Sequence, residues 1–390
     1  MKKLQQLNEN RNYGLDFLRL LSMFMVVTLH VLGHGGALNT SARLTFTGEF
    51  LWLLEIACFC AVNVFAIISG YVGIKAKHKY KSLILLCLQI IFYSLIFSGI
   101  NIIINLVNKT QINVKDVLNF LFPSVKNYWY FSAYFCLFFF MPLLNTIIEH
   151  APRKTLKTAG VLAFLIFCIW NLFSNYVSGL RDGYSIIWLV VLYLTGGYFA
   201  KYQPLKNWSA KKCLFAYLIC IIVTALSKFG LEFLPKDFFT IVKSSKILVS
   251  YLSPTIVLSA VFLVNLGAKL QLKDSFKHVI GYLSPMAFGV YVIHCHPFIS
   301  SQIKNSFSWI GTTIFPLSLF YSLLFAFLIF SVCIIIDKLR IILFKLCKIN
   351  YFSEFLAKQI SKLFSVIISP LKCSLKDKNV NLKDQKDETN

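Results

Sequence analysis

Three ionisable side chains interrupt the first long apolar stretch of the chain, and their spacing suggests chemistry. Asp16 and Arg19 lie near its start, and His30 ends the run "RLLSMFMVVTLH". Ionisable side chains inside a bilayer cost free energy and commonly mark functional sites. On an α-helix the residues from Arg19 to His30 turn by roughly 1,100°, about 20° beyond three full turns, and rise by about 16 Å. Arg19 and His30 should therefore share one helix face.

A cation and a titratable base on one face suit a long ligand with an anionic head and a reactive tail. The guanidinium can bind phosphate, and the imidazole can accept a proton farther along the helix. Asp16, three residues before Arg19, can hold the guanidinium in place. The alternative for Arg19 is that it extends toward the inner headgroups, as arginines near helix ends commonly do. His30 lies too deep for that and needs a partner inside the protein.

The composition indicates the elements that must position these residues. Of 390 residues 57% are hydrophobic and only 14% are charged, with a mean hydropathy of +0.69. Apolar runs near the roughly 20 residues that cross a bilayer recur along almost the whole chain. The sequence therefore predicts an all-α integral membrane protein. The net charge of +23 then reflects topology and gives no reason to expect nucleic acid as a partner.

The hydropathy pattern predicts about ten membrane helices. Connections on the side that holds both termini carry 28 of the 39 lysines and arginines, against 10 on the other side. Basic residues collect on the cytoplasmic side, so both termini should be cytoplasmic. The predicted helices cover residues 15–33, 50–73, 82–107, 128–149, 159–175, 184–200, 213–230, 247–266, 279–300 and 314–336.

The chain divides by composition into a membrane domain, residues 1–340, and two C-terminal segments. Residues 341–371 predict an amphipathic helix on the inner membrane surface, with Phe352, Phe355, Leu356, Leu363 and Ile367 on one side. Residues 372–390 are polar and without periodicity, which is typical of disorder.

Two further residues should lie at the depth of His30. Glu55 and His294 each fall near the outer end of a predicted helix, so a carboxylate could orient or stabilise an imidazole there. The alternatives are solvation of Glu55 near the outer interface and, for the neighbouring His296, a simple interfacial position. His34 precedes Gly35 and Gly36, which predicts that the first helix has ended before it.

Other candidate residues have structural alternatives. Ser69 and Gly70 lie near Arg19 in depth and permit close approach by either a ligand or another helix. Trp129 and Tyr130 open the fourth helix, where an aromatic belt at the interface is the default. Cys295 stands between His294 and His296, but the eleven cysteines lie in apolar or C-terminal segments. We therefore expect packing rather than disulfides or a metal site.

Taken together, these residues resemble the membrane acyltransferase-3 family. The resemblance spans roughly residues 11–340 and rests on Asp16-x-x-Arg19 followed by His30, then "FAIISGYVG", "YWYFSAYF" with "MPLLN", and "YVIH" ending at His294. It implies a bacterial multi-pass protein of the inner, or cytoplasmic, membrane. Such a protein takes an acyl group, usually acetyl, from cytoplasmic acyl-CoA and passes it to a hydroxyl of an envelope or exported glycan or its lipid-linked precursor.

The resemblance also implies roles for the residues. His30 would be a general base or a transient acyl carrier, with Glu55 beside it. Acetyl-CoA would be the donor substrate, and its phosphate end would lie at Arg19. The full set is His30 and Glu55 for catalysis, Arg19, Asp16, Ser69 and Tyr71 for the donor, and His294, Trp129 and Tyr130 for the carbohydrate acceptor.

The chain also departs from the family pattern. Many relatives carry Arg-x-x-Arg after the Ser-Gly segment, whereas this chain has the lysines of "KAKHKYK", residues 75–81. Some relatives carry a fused extracytoplasmic domain that completes transfer. A partner protein that takes this role is a further expectation for this chain. A different class of function is a transporter or flippase for a glycan or small anion, with Arg19, Glu55 and His30 lining its path.

Overall fold

The computed structural model describes residues 11–362 apart from 112, 122–126, 174–178 and 235–244. Within these ranges the chain is helical and contains no strand. Ten helical segments are labelled in chain order: α1 Tyr13–Thr40, α2 Phe46–Gly73, α3 Tyr80–Val107, α4 Trp129–His150, α5 Arg153–Phe173, α6 Ile186–Tyr202, α7 Ala210–Glu232, α8 Pro254–Lys269, α9 Asp274–His294 and α10 Leu317–Leu346. Shorter helices cover Val114–Leu121, Pro297–Ile303 and residues 349–362.

Eight of these segments are long and apolar enough to cross a membrane, which confirms the predicted all-α membrane class. The other two, α6 and α8, have 17 and 16 residues and are also apolar. They occupy the places of the sixth and eighth predicted helices. A span needs about 17 to 25 residues, so the count of ten spans and the cytoplasmic position of both termini remain predictions.

The helix that carries Arg19 and His30 lies at the centre of the bundle. Its N-cap is Asn12, whose side chain accepts a hydrogen bond from the Leu15 amide at 3.1 Å. In α1 and α2, 67% of the most apolar stretch is buried by protein, against 6% in α5. The first two helices therefore form the core, and α5 lies at its edge, where it can face lipid.

Helices α2 and α6 are in close contact at their glycines. The Cα of Gly70 packs against the backbone carbonyl of Tyr193, and Gly196 packs against the carbonyl of Ile67. A Cβ atom at either glycine would overlap the facing carbonyl oxygen. Small residues permit this approach of two helix backbones in a membrane. Of the two interpretations of Gly70, the structure supports helix packing.

Two predicted helices differ from the structure at prolines. The eighth was predicted from residue 247, but α8 begins at Pro254, and residues 245–253 form turns and irregular chain without a helix. Proline is favoured in the first helical turn because it lacks the amide proton that a helix interior needs. The ninth was predicted through residue 300, but α9 ends at His294 and a new helix begins at Pro297.

The last long helix extends ten residues beyond its prediction, to Leu346. Two of its charged residues are paired: Arg340 binds Asp337 with both Nε and Nη2, at 2.9 and 2.8 Å. Asp337 is fully buried and also accepts hydrogen bonds from Gln89 and Tyr93 of α3, each at 2.8 Å. The network joins α3 to α10.

The C-terminal helix over residues 349–362 leaves Tyr351, Phe352 and Phe355 exposed. Lys81, at the start of α3, forms an ion pair with Glu354 of this helix. The Lys81 ammonium lowers the pKa of the Glu354 carboxyl below its usual value. The position of this C-terminal helix on the inner membrane surface remains a prediction. Leu363, Ile367 and the tail 372–390 lie outside the described residues.

Candidate active site

A cavity of about 700 Å³ opens between the core helices. Both Arg19 and His30 line it, so the predicted shared face is present. Its other polar or aromatic lining residues are His34, Glu55, Phe59, Phe65, Ser69, Asn127, Trp129, Tyr130, Phe131, Tyr134, Tyr184, Tyr251, Ser284, Phe288, Tyr291, Cys295 and Ser300. Among the described lining residues, Arg19 is the only lysine or arginine. None of the four lysines of residues 75–81 is part of it.

At the arginine end of the cavity, Arg19 shares the carboxylate of Asp16 with Arg11, and neither Asp16 nor Arg11 belongs to the lining. Asp16 is buried, and its Oδ1 accepts a hydrogen bond from Arg19 Nη1 at 2.7 Å. Its Oδ2 accepts one from Arg11 Nε at 2.5 Å, and Arg11 Nη2 donates to Ser284 at 2.9 Å. The two guanidinium groups and the one carboxylate carry a net positive charge. The pairing with Asp16 also orients the N–H donors of Arg19 that do not face the carboxylate. Such a group can bind phosphate.

His30 stands where the winding of α1 changes. The helix is α-helical to Leu29 and π-helical from His30 to His34, and the Gly35 amide donates to the His30 carbonyl at 2.7 Å. Short π-helical turns are frequent at functional sites. The prediction that the helix ends before His34 is wrong, because the wider turn carries it on. His34 lines the cavity and its Nε2 lies 3.0 Å from the Ser300 hydroxyl.

Glu55 of α2 also lines the cavity. Its carboxylate lies beside Gly33 in the π-helical turn, close enough that a Cβ on that glycine would be 3.9 Å from Oε1. Glu55 is 7% exposed, and its Oε2 has no hydrogen-bond partner among the described residues. A buried polar atom without a partner is costly, so it is a candidate to bind a ligand.

His294 and Cys295 lie next to His30 at the end of α9. The rings of His30 and His294 are 4.9 Å apart between centroids. His294 is fully buried, and its Nδ1 donates to the Val290 carbonyl at 2.5 Å. Its Nε2 is 3.5 Å from Cys295 Sγ, which is 3.9 Å from His30 Nδ1. His294 therefore lies beside His30, although Cys295, not His294, is the neighbour that lines the cavity.

His30, His294 and Cys295 also have the composition of a metal site. Their nitrogen and sulfur ligand atoms all lie within 4.8 Å of one another. Imidazole and thiolate are ligands that zinc accepts; a structural zinc site has four protein ligands, whereas a catalytic one has three and an open position. The expectation of no bound metal stays a prediction. Each of the ten cysteines in the described ranges is free of disulfide bonds.

Aromatic rings form one wall of the cavity. Trp129 contacts Tyr184 with centroids 4.5 Å apart, and Tyr184 contacts Tyr251 at 5.1 Å. Two side chains outside this wall hold Tyr251 in place: Asn63 donates to its carbonyl at 2.8 Å and accepts from Trp188 Nε1 at 3.1 Å. Trp129 thus belongs to a cavity wall rather than to an interfacial belt alone.

The remaining candidates divide between the cavity and the packed core. Ser69 and Tyr130 line the cavity. Tyr71 does not line it and packs against the core instead. His296 was expected at the interface, but it is fully buried. Its Nδ1 accepts a hydrogen bond from the Phe298 amide and so caps the helix Pro297–Ile303.

Sequence reasoning missed several lining or supporting residues. Arg11 precedes the first helix and has no apolar context that would mark it. Tyr184 and Tyr251 lie in connections whose path a periodicity argument cannot follow. Only the flanking histidines of Cys295 gave a signal, and that signal was interpreted as packing.

Comparison with known proteins agrees with this geometry. A sequence profile of the acyltransferase-3 family, described as an acyltransferase domain, matches residues 12–334. The chain belongs to the acyltransferase-3 family. This match confirms the resemblance. No curated protein and no solved structure matches the chain significantly.

Membership has a direct consequence for the cavity. The acyltransferase-3 domain covers every lining residue, from Arg19 to Ser300. The chain is therefore a multi-pass membrane acyltransferase. The cavity with Arg19 at one end and His30, Glu55 and Cys295 among its lining residues is the candidate place for the transfer.

Proposed function

We propose that this acyltransferase moves an acetyl group from cytoplasmic acetyl-CoA to a carbohydrate hydroxyl of an envelope or exported glycan, or of its lipid-linked precursor. The observation that carries the proposal is that Arg19 and His30 line one cavity. An anion-binding group and a base at separate positions match a donor whose phosphates are remote from its thioester. The membrane would be the bacterial cytoplasmic membrane.

Arg19 binds the phosphates of CoA in this proposal. Asp16 orients the guanidinium through the 2.7 Å hydrogen bond, and Ser69 contributes a hydroxyl to the same cavity. The pantetheine arm then extends along α1 and brings the thioester toward His30.

His30 acts as the general base. It accepts the proton of the sugar hydroxyl as that oxygen forms its bond to the acyl carbon, and the sulfur leaves with the bonding electrons and takes up a proton. Glu55 stabilises the imidazolium that forms. The aromatic wall of Trp129, Tyr184 and Tyr251 supplies ring faces against which the apolar face of a sugar can pack.

The decisive experiment compares envelope glycans by NMR with and without the protein, and measures CoA release by membranes given acetyl-CoA and the glycan. Arg19→Ala and His30→Ala should each abolish O-acetylation while the protein remains in the membrane. Acetylation that persists in the His30 variant would disprove its role. Substrate uptake without release of CoA would instead indicate a transporter.

A further inference from the structure

The arrangement of Cys295 and His294 is that of an activated nucleophile. His294 Nδ1 faces the Val290 carbonyl at 2.5 Å, and since a carbonyl can only accept, Nδ1 carries the proton. The unprotonated Nε2 then faces Cys295 Sγ at 3.5 Å, a distance suited to a hydrogen bond from a thiol. A nucleophile, a base and a third group that orients the base form the constellation of covalent catalysis.

The position of Cys295 distinguishes it from the other cysteines. Of the ten in the described ranges, Cys295 is the one that lines the cavity. Its sulfur is also 3.9 Å from His30 Nδ1, so a group attached to it lies beside the base. Independently, the partnerless Oε2 of the buried Glu55 in the same cavity points to a ligand at this end.

We infer that Cys295 is a transient acyl carrier between acyl-CoA and the acceptor, with His294 as its base. The inference rests on the proposed function, because it needs a thioester donor. It assigns the covalent intermediate to the thiol and leaves His30 as the base for the acceptor hydroxyl.

The transfer then has two balanced steps. Cys295 Sγ attacks the acyl carbon of acyl-CoA as its proton passes to His294 Nε2, and the bond between that carbon and the CoA sulfur breaks. The CoA thiolate takes the proton and leaves as the thiol. In the second step the sugar oxygen bonds to the acyl carbon, its proton passes to His30, and the Cys295 thiolate leaves and is reprotonated. The first step exchanges one thioester for another and so needs no other reactant.

The test uses the full chain in lipid nanodiscs with radiolabelled acetyl-CoA and no acceptor, quenched in acid. The wild type should retain label on the protein, released by neutral hydroxylamine, as thioesters are. Cys295→Ala should lose both this label and transfer to the glycan, because it removes the nucleophile. Cys58→Ala is the matched control, since Cys58 is buried and outside the cavity lining. This variant should keep both the label on the protein and the transfer to the glycan.

A second variant keeps the test valid if Cys295→Ala misfolds. Cys295→Ser preserves the side-chain volume, and any label it retains should be an oxygen ester that resists neutral hydroxylamine. Transfer at the wild-type rate by folded Cys295→Ala would overturn the carrier and leave the proposed function standing. One tightly bound zinc per wild-type chain would also overturn it, because the thiol would then be a metal ligand. Absence of both CoA release and glycan acetylation in the wild type would instead refute the proposed function.

Discussion

Arg19 and His30 line one cavity although the winding of their helix changes from α to π at His30. The α-helical stretch from Arg19 to Leu29 keeps the two positions in register, and the wider turn begins only at the histidine. One helix therefore carries both the cation and the base of the site, with about 16 Å of rise between them.

Removal of the imidazole should stop acyl transfer. His30→Ala should lower the rate by about 10²- to 10⁴-fold, the usual contribution of a general base. His278→Ala is the control, since His278 is exposed on α9 outside the cavity. Glycan acetylation in cells, normalised to the amount of protein in the membrane, measures both. An equal loss in the two variants would show a general effect on folding.

Removal of the guanidinium should affect donors that carry phosphate. Arg19→Ala should raise the KM for acetyl-CoA by about 10-fold or more, as loss of a hydrogen bond to a charged group does, and leave the KM for acetyl-pantetheine unchanged. Arg153→Ala, which removes a cation outside the cavity, should change neither. A parallel increase for both donors would argue against phosphate binding at Arg19.

The aromatic wall should determine acceptor binding. Trp129→Ala should lower kcat/KM for the glycan by about 3- to 10-fold, in line with the value of one aromatic contact. The rate of acetyl-CoA hydrolysis without glycan should be unaffected. Trp170 is 62% exposed on the edge helix α5, and Trp170→Ala gives the comparison. A change in donor KM instead would assign this wall to the acyl-CoA.

The buried Asp337 network should determine stability rather than chemistry. Asp337→Ala leaves Arg340, which is only 11% exposed, without its carboxylate, and removal of one member of a buried ion pair typically costs about 3–5 kcal/mol. The double variant Asp337→Leu with Arg340→Met should recover part of this loss. Thermal unfolding in detergent measures both. Asp274→Asn, at an exposed pair with Lys277, should have no effect.

The contact of the C-terminal helix with α3 should depend on pH. Because Lys81 lowers the pKa of Glu354 in the folded protein, their pairing contributes above the usual carboxyl pKa and is lost as the pH falls through the lowered value. A spin label at Lys358 should gain mobility over that acidic range. The transition should be absent in Glu354→Gln, which cannot form the pair, and its persistence there would contradict this origin.

Sequence periodicity predicted most helices because a bilayer requires long apolar runs. It failed at Pro254 and at Pro297, where local backbone chemistry starts a new helix within an apolar region. It also ended α10 too early, since no local signal shows that Asp337, paired with Arg340, will also accept hydrogen bonds from Gln89 and Tyr93 of another helix.

Sequence reasoning related candidate residues that lie on one helix or at one predicted depth in the membrane. Arg19, His30, Glu55 and His294 could be related in this way, and the structure brings them together. Tyr251 and Arg11 could not, because their positions depend on how connections fold back across the bundle.

The backbone contacts of Gly70 and Gly196 limit how this protein can move. Helices that touch at their main chains cannot rock past each other without separating, so α2, which carries Glu55 and Ser69 of the cavity lining, should stay fixed against α6 through a catalytic cycle.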